Sequence, residues 1–149
     1  MGAVDDRQAL AERSAKALFD PDRASQSLGM RITAVAPGAC TVVMTVRPDM
    51  CNGHGICHGG MIFSLADSAF AFACNSGGEP TVAAGASIDF LAPGRAGDEL
   101  TATARELWRG GRSGLYEITV TNQHGERLAF FRGRSHRLGA RSQEPREQP

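Results

Sequence analysis

The chain has 149 residues, 42% of them hydrophobic and 21% charged, with 16 basic and 16 acidic side chains and zero formal net charge. That is the size of one ordinary domain with enough apolar material for a real core. The charge balance gives no global reason to expect nucleic acid or an anionic membrane as partner.

The first residues, MGAVDDRQALAERSAK, carry acids and no apolar stretch, which argues against a secretory signal. Asp6 stands where a myristoylation signal has Ser or Thr. Four cysteines, Cys40, Cys51, Cys57 and Cys74, are therefore expected to be reduced in a cytoplasmic setting. The longest apolar run is too short to span a bilayer and is interrupted by Asp67.

Asp6–Phe19 is predicted to be a helix, with Leu10, Ala17 and Phe19 as packing positions, stopped by the DPD at 20–22. Two short alternating segments follow. In the first, Leu28, Met30, Ile32 and Ala34 share a face; in the second, Val42, Met44 and Val46 do. Pro37-Gly38 joins them as a hairpin turn. A long helix is predicted from about Gly59 to Asn75, ended by Gly77-Gly78. Four more strands follow: Ala83–Leu91, Leu100–Trp108, Leu115–Thr121 and Leu128–Ser135. The domain is expected to occupy 1–138, with 139–149 a disordered polar tail.

Strands joined by tight turns make an antiparallel sheet. A helix that is apolar nearly all round has to be wrapped rather than laid on a surface. The expected fold is α+β: a curved antiparallel sheet of five or six strands folded around one long helix, plus an N-terminal helix. Such a sheet leaves an edge that a second copy would protect, so a homodimer is predicted.

On a 3.6-residue repeat, Gly60, Ser64, Asp67, Ser68, Ala71 and Asn75 form one narrow polar seam on the long helix. Asp67 is its only charge. A carboxylate among apolar neighbours has a raised pKa unless donors surround it, which makes it a candidate base or nucleophile. The competing reading is an acid that merely caps or bridges a subunit contact.

The stretch before the helix, NGHGICHGG (52–60), sets four glycines around Asn52, His54 and His58. Glycine lets backbone come close to a ligand, and the first amides of a helix are unpaired and carry the positive end of its dipole. Such a terminus can hold a phosphate or polarise a carbonyl oxygen. An electrophilic hole at the helix start and an acid along its flank is a layout for acyl transfer or hydrolysis. Cys51, His54, Cys57 and His58 raise a zinc reading, but adjacent Cys57-His58 lacks the paired knuckles of structural sites. HGGM is not followed by the Gly-Lys-Ser/Thr of a phosphate-binding loop. A Cys57–His58 dyad is also disfavoured, because such pairs meet in space and not as sequence neighbours. His58 could simply bond backbone at the helix start, and Asn52 could be a turn residue. Asp89 alternates with Ile88 and Phe90 and is expected to face outward. Arginines 109, 112, 132, 134 and 137 gather in the last strands, as a solvated face or as counterions to a phosphorylated ligand.

NGHGxCHGGxxFSLADxAFAxACNS resembles the signature of PaaI-type thioesterases, the phenylacetic-acid-degradation branch of the hot-dog-fold acyl-CoA thioesterases. The resemblance extends from about Leu28 through "IDFLAP" and "GDEL" to "GLYEITVTNQHGERLAFFRGRS". It implies a long helix wrapped by an antiparallel sheet, a dimer with its active sites at the subunit interface, and commonly a dimer of dimers. It also implies an acyl-CoA substrate, with aryl-acetyl groups of the phenylacetyl or hydroxyphenylacetyl type favoured and medium-chain acyl groups as the alternative. By position, Asp67 matches the catalytic carboxylate and Gly59 the amide that polarises the thioester carbonyl. His58 and Asn52 match the residues that surround the thioester and place the water. Relatives with glutamate at the Asp67 position often carry Ser or Thr one turn later; Ala71 stands there, which leaves more to Asn52. Gly60, Met61, Phe63, Ser68, Phe70 and Arg112 are expected to bind substrate. No cofactor and no metal are expected. A hot-dog dehydratase or hydratase and a non-catalytic acyl-CoA-binding protein are the remaining alternatives.

Overall fold

The computed structural model describes residues 2–139; ten of the eleven residues assigned above to a disordered tail, 140–149, lie outside them. The elements in chain order are α1 (Ala3–Phe19), α2 (Arg23–Ser27), β1 (Arg31–Ala36), β2 (Ala39–Thr45), a 3₁₀ turn (Pro48–Met50), α3 (Gly59–Cys74), β3 (Thr81–Phe90), β4 (Glu99–Gly110), β5 (Ser113–Thr121) and β6 (Arg127–Arg137). The six strands form one antiparallel sheet in the order β1-β2-β4-β5-β6-β3. This is the sheet around one long helix that the patterning implied, and the hot-dog fold that the resemblance implied. α3 packs against every strand of the sheet.

The alternation that marked the strands decides which side chains meet the helix. Val42, Met44 and Val46, then Leu100, Ala102 and Ala104, then Tyr116, Ile118 and Val120 are buried against Leu65, Ala66, Ala69, Phe70 and Phe72 of α3. Burying each of the larger aliphatic or aromatic side chains contributes about 1.5–3 kcal/mol. β6 joins the same core through Leu128, Ala129 and Phe131. Gly133 is required there, since a Cβ at that position would lie 2.7 Å from the Phe70 ring.

Two expectations for the first third of the chain differ from the structure. Residues 23–27 form a short helix, and the strand begins at Arg31, so Leu28 does not belong to it. Met30 and Ile32 turn inward, but the register slips between Ile32 and Ala34, and Ala34 is exposed. A bulge breaks the period-two rule that the prediction relied on. In α1 the buried residues are Ala11 and Ala15, whereas Ala17 is exposed. Small side chains at i and i+4 let the helix sit close, and Phe19 stacks on Phe72 with ring centroids 5.9 Å apart.

Both ends of α3 are tied down. At its C-terminus Asn75 stands outside the helix as its cap. The Asn75 amide donates to the carbonyls of Ala71 (2.8 Å) and Thr81 (2.9 Å), and its oxygen accepts from the Thr81 N–H (2.9 Å). One side chain thus locks the helix to the first residue of β3. Asn75→Ala is expected to destabilise the fold by about 1–3 kcal/mol, because buried backbone groups lose their partners; urea denaturation at constant m-value measures it.

Candidate active site

The polar seam of α3 is almost entirely consumed by the fold. The Ser64 hydroxyl donates back to the Gly60 carbonyl at 2.8 Å. Ser68 shares a 2.8 Å hydrogen bond with Ser25, which Asp22 holds through both its amide (2.9 Å) and its hydroxyl (2.6 Å). That arrangement docks α2 on α3, so Ser68, expected on the substrate side, instead fastens a helix that the sequence did not reveal. With Asn75 spent as a clamp, Asp67 is the one hydrogen-bonding side chain of the seam left over. No group among the described residues donates to its carboxylate. Burial alone pushes its pKa above the usual aspartate value. A half-buried acid with no donor is costly to the fold, and that cost is absent from a purely structural salt bridge or cap.

The helix start is prepared in a different way. His58 is the N-cap, with extended backbone (φ −60°, ψ 133°), and its Nδ1 accepts from the Gly60 N–H at 2.9 Å. In this contact the Nδ1 lone pair satisfies the second amide of the helix. Met61 and Ile62 donate to the His58 carbonyl. The Gly59 N–H is left without an acceptor among the described residues, at the positive end of the α3 dipole. The Phe90 ring covers this glycine: a Cβ on Gly59 would lie 3.0 Å from it. Phe90 is nevertheless 54% exposed, so it forms an open aromatic wall beside the free amide. Reading the sequence missed Phe90, although alternation with outward-facing Asp89 placed it on the helix side of β3.

The loop before the helix is held by backbone. Asn52 accepts through its side-chain oxygen from the amides of His54 (2.9 Å) and Ile56 (3.4 Å). Its amide nitrogen is left as a donor. Cys57 donates its N–H to the Gly94 carbonyl (2.7 Å) and His58 to that of Met50 (2.8 Å), which pins the loop to the β3–β4 connection and to the 3₁₀ turn. All four cysteines are free, and no group of three or more metal-ligating side chains is arranged to hold an ion among the described residues.

Other expected substrate contacts are spread more widely. Met61 and Phe63 are half-buried near the helix start, and Phe63 meets Phe131 edge-on at 5.1 Å. Phe70 is only 1% exposed, packed between Tyr116 and Phe131, so it belongs to the core and lines no open groove of the single chain. Arg112 lies at the opposite end of α3. There it lines a cavity of about 710 Å³ with Arg7, Arg109, Arg137, Glu79 and Glu106. Arg137 is paired with Glu79 at 2.8 Å, whereas Arg7 and Arg112 have no carboxylate within reach among the described residues.

Asp67 lies about 12 Å further along the helix axis than Gly59. An attacking group must come within about 3.5 Å of a carbonyl whose oxygen is about 3 Å from its donor. At that separation the Asp67 carboxylate is out of reach of direct attack on a carbonyl held by the Gly59 N–H of its own chain.

The fold is that of the hot-dog proteins, and comparison with known proteins sets it among the thioester hydrolases. Residues 54–129 match the thioesterase superfamily. Over 129 residues the chain is 49% identical to acyl-coenzyme A thioesterase PaaI of Escherichia coli (strain K12), across 87% of this chain and 92% of that protein. The structure of E. coli PaaI, from the phenylacetic acid degradation operon, aligns with a TM-score of 0.87 and 48% identity, over 89% of this chain and 96% of the other. A Streptococcus mutans protein bound to acetyl CoA aligns with a TM-score of 0.71 and 28% identity, over 74% and 89% of the two chains. The chain belongs to the thioesterase superfamily, in its PaaI-type branch, and is a thioester hydrolase. Among the described residues, no helix is long and apolar enough to cross a membrane.

The raised pKa of Asp67 has a consequence for stability. The folded state holds this proton more tightly than the unfolded chain does, so stability is lost as pH rises from the ordinary aspartate value through the raised one. Asp67→Asn is therefore expected to melt at a higher temperature than the parent at pH 7, and the difference should vanish below about pH 3.5. Calorimetry across that range reads it directly.

Proposed function

We propose that the protein hydrolyses aryl-acetyl-CoA thioesters, of the phenylacetyl or hydroxyphenylacetyl type, at composite sites made by two copies of the chain. The observation that carries this is the pair of unsatisfied groups on one helix, the Gly59 N–H and the Asp67 carboxylate, too far apart for direct attack within one chain. A second copy brings one chain's acid to the other's amide.

β3 supports that assembly. It pairs only with β6, and along its length nearly every residue is exposed. The sheet's other edge, β1, is short and bulged, with α1 docked through the Gln8 amide on the Val35 carbonyl (2.8 Å). An open edge of this length is a template for pairing, and two-fold pairing joins identical edges antiparallel. The Thr81 end of one β3 then meets the Phe90 end of the other. That sets the arginine-lined cavity of one copy beside the helix start of its partner, where Arg112 and Arg7 suit the phosphates of coenzyme A.

In the proposed mechanism the thioester carbonyl oxygen accepts from the Gly59 N–H as negative charge develops on it. Asp67 of the facing copy either deprotonates a water held by the Asn52 amide or attacks the carbonyl carbon itself to give a mixed anhydride. The thiolate of coenzyme A leaves in either case. His58 fixes the Gly60 amide and so the approach to Gly59. Phe90, Met61 and Phe63 offer aromatic and apolar surface to the acyl group. A reduced, cytoplasmic setting suits a substrate that carries coenzyme A.

Asp67→Asn is expected to lower kcat by about 10²–10⁴, and Gly59→Pro by about 10²–10³. Proline is favoured at the first helical position, and the His58 backbone already suits a following proline, so the amide is deleted with the helix kept. The Phe90 ring must give way by a few tenths of an ångström. Mixing the two inactive variants should restore about a quarter of parental activity, since half the dimers are mixed and each has one complete site; no recovery would refute the composite site. Thiol release across a panel of aryl-acetyl and medium-chain CoA thioesters decides the acyl group, and a higher kcat/KM for octanoyl- than for phenylacetyl-CoA would reject the aryl assignment. Single turnover in heavy-oxygen water separates the routes: label in Asp67 marks direct attack, and label confined to the released acid marks general base catalysis.

A further inference from the structure

We propose that Cys51 and Cys57 are a disulfide-forming pair, a reversible modification site that staples the loop carrying Asn52 to the start of α3. The two residues face each other in an isolated antiparallel bridge. The flanking hydrogen bonds run from the Asn52 N–H to the Ile56 carbonyl (2.8 Å) and from the His58 N–H to the Met50 carbonyl (2.8 Å). Bonds on both outer sides and none between the paired residues define the non-hydrogen-bonded type of antiparallel pair. In such a pair the Cα atoms are about 4.5 Å apart and the side chains lie on the same side. That spacing is within the range a disulfide spans without backbone movement.

The other two cysteines have no such relation. Cys40 lies on β2 and Cys74 at the far end of α3. The two thiols of the pair also differ. Cys57 is buried against Gly94, and burial together with the neighbouring Cys51 holds its pKa up to about 11. Cys51 is half-buried, so it meets an oxidant first. With hydrogen peroxide, the Cys51 thiolate breaks the O–O bond to give a sulfenic acid and hydroxide. The Cys57 sulfur then attacks the Cys51 sulfur, the S–O bond breaks, and water leaves. Two thiols are oxidised by two electrons, and one peroxide is reduced to two waters.

The staple would close a short ring around Asn52 whose last residue adjoins His58 and Gly59. Its effect is to restrain the unfolded chain and the loop, leaving the chemistry in place.

The test uses the full chain, first reduced and then treated with hydrogen peroxide. The expected product has lost two hydrogens in intact mass, alkylates at two thiols instead of the four free in the reduced protein, and melts about 5 °C higher. Dithiothreitol should reverse all three. Cys51→Ser should show neither the mass loss nor the melting shift, while its thioesterase activity in the reduced state matches the parent; Cys51→Ala replaces it if the serine variant fails to fold. Four alkylatable thiols after oxidation, a gain of oxygen without pairing, or a two-hydrogen loss that persists in Cys51→Ser would each overturn the proposal.

Discussion

One constraint organises this protein: α3 is apolar on nearly every side, so its stability depends on enclosure by the sheet. Its sides are supplied by Leu65, Ala66, Ala69, Phe70 and Phe72, and the inward residues of the strands meet them. An enclosed helix offers reactive groups at few places. Its first amide, that of Gly59, has no acceptor among the described residues, and its polar seam breaks the apolar surface along one flank. Both are where the proposed chemistry is placed.

The fold then removes the competing uses of those groups. His58 takes the Gly60 amide, Ser64 binds its own helix, Ser68 docks α2, and Asn75 fastens β3. What is left is one amide and one carboxylate. Leaving a half-buried acid without a donor weakens the fold and strengthens the acid as a base, so the same desolvation acts against stability and for reactivity.

Length along the helix is what makes a second copy part of the proposed site. A rise of about 1.5 Å per residue separates Gly59 from Asp67 by more than direct attack on a held carbonyl can span. The open edge of β3 runs beside these groups, with Phe90 at one end over Gly59 and Thr81 at the other tied to Asn75. The edge that offers pairing and the helix that carries the two unsatisfied groups are therefore neighbours in the fold.

Much of this was readable from the amino-acid order alone. Period-two alternation marked the first two strands and β5, because burial on one face forces that pattern, and a long apolar run with one polar seam marked α3. The lone Asp67, the glycine pair at the helix start and the family signature around them singled out the candidate site. Tertiary structure decided the rest. The short α2 has too few residues to show a period, the bulge after Ile32 shifts a strand by one residue, and Ala11 and Ala15 rather than Ala17 pack α1. None of these is a property of a single residue type. Nor could sequence tell that Ser68 and Phe70 serve the fold while Phe90 covers Gly59, since hydrogen bonds and ring contacts join residues far apart in the chain. Patterns of burial are local and legible; partners are made only when the sheet closes on the helix.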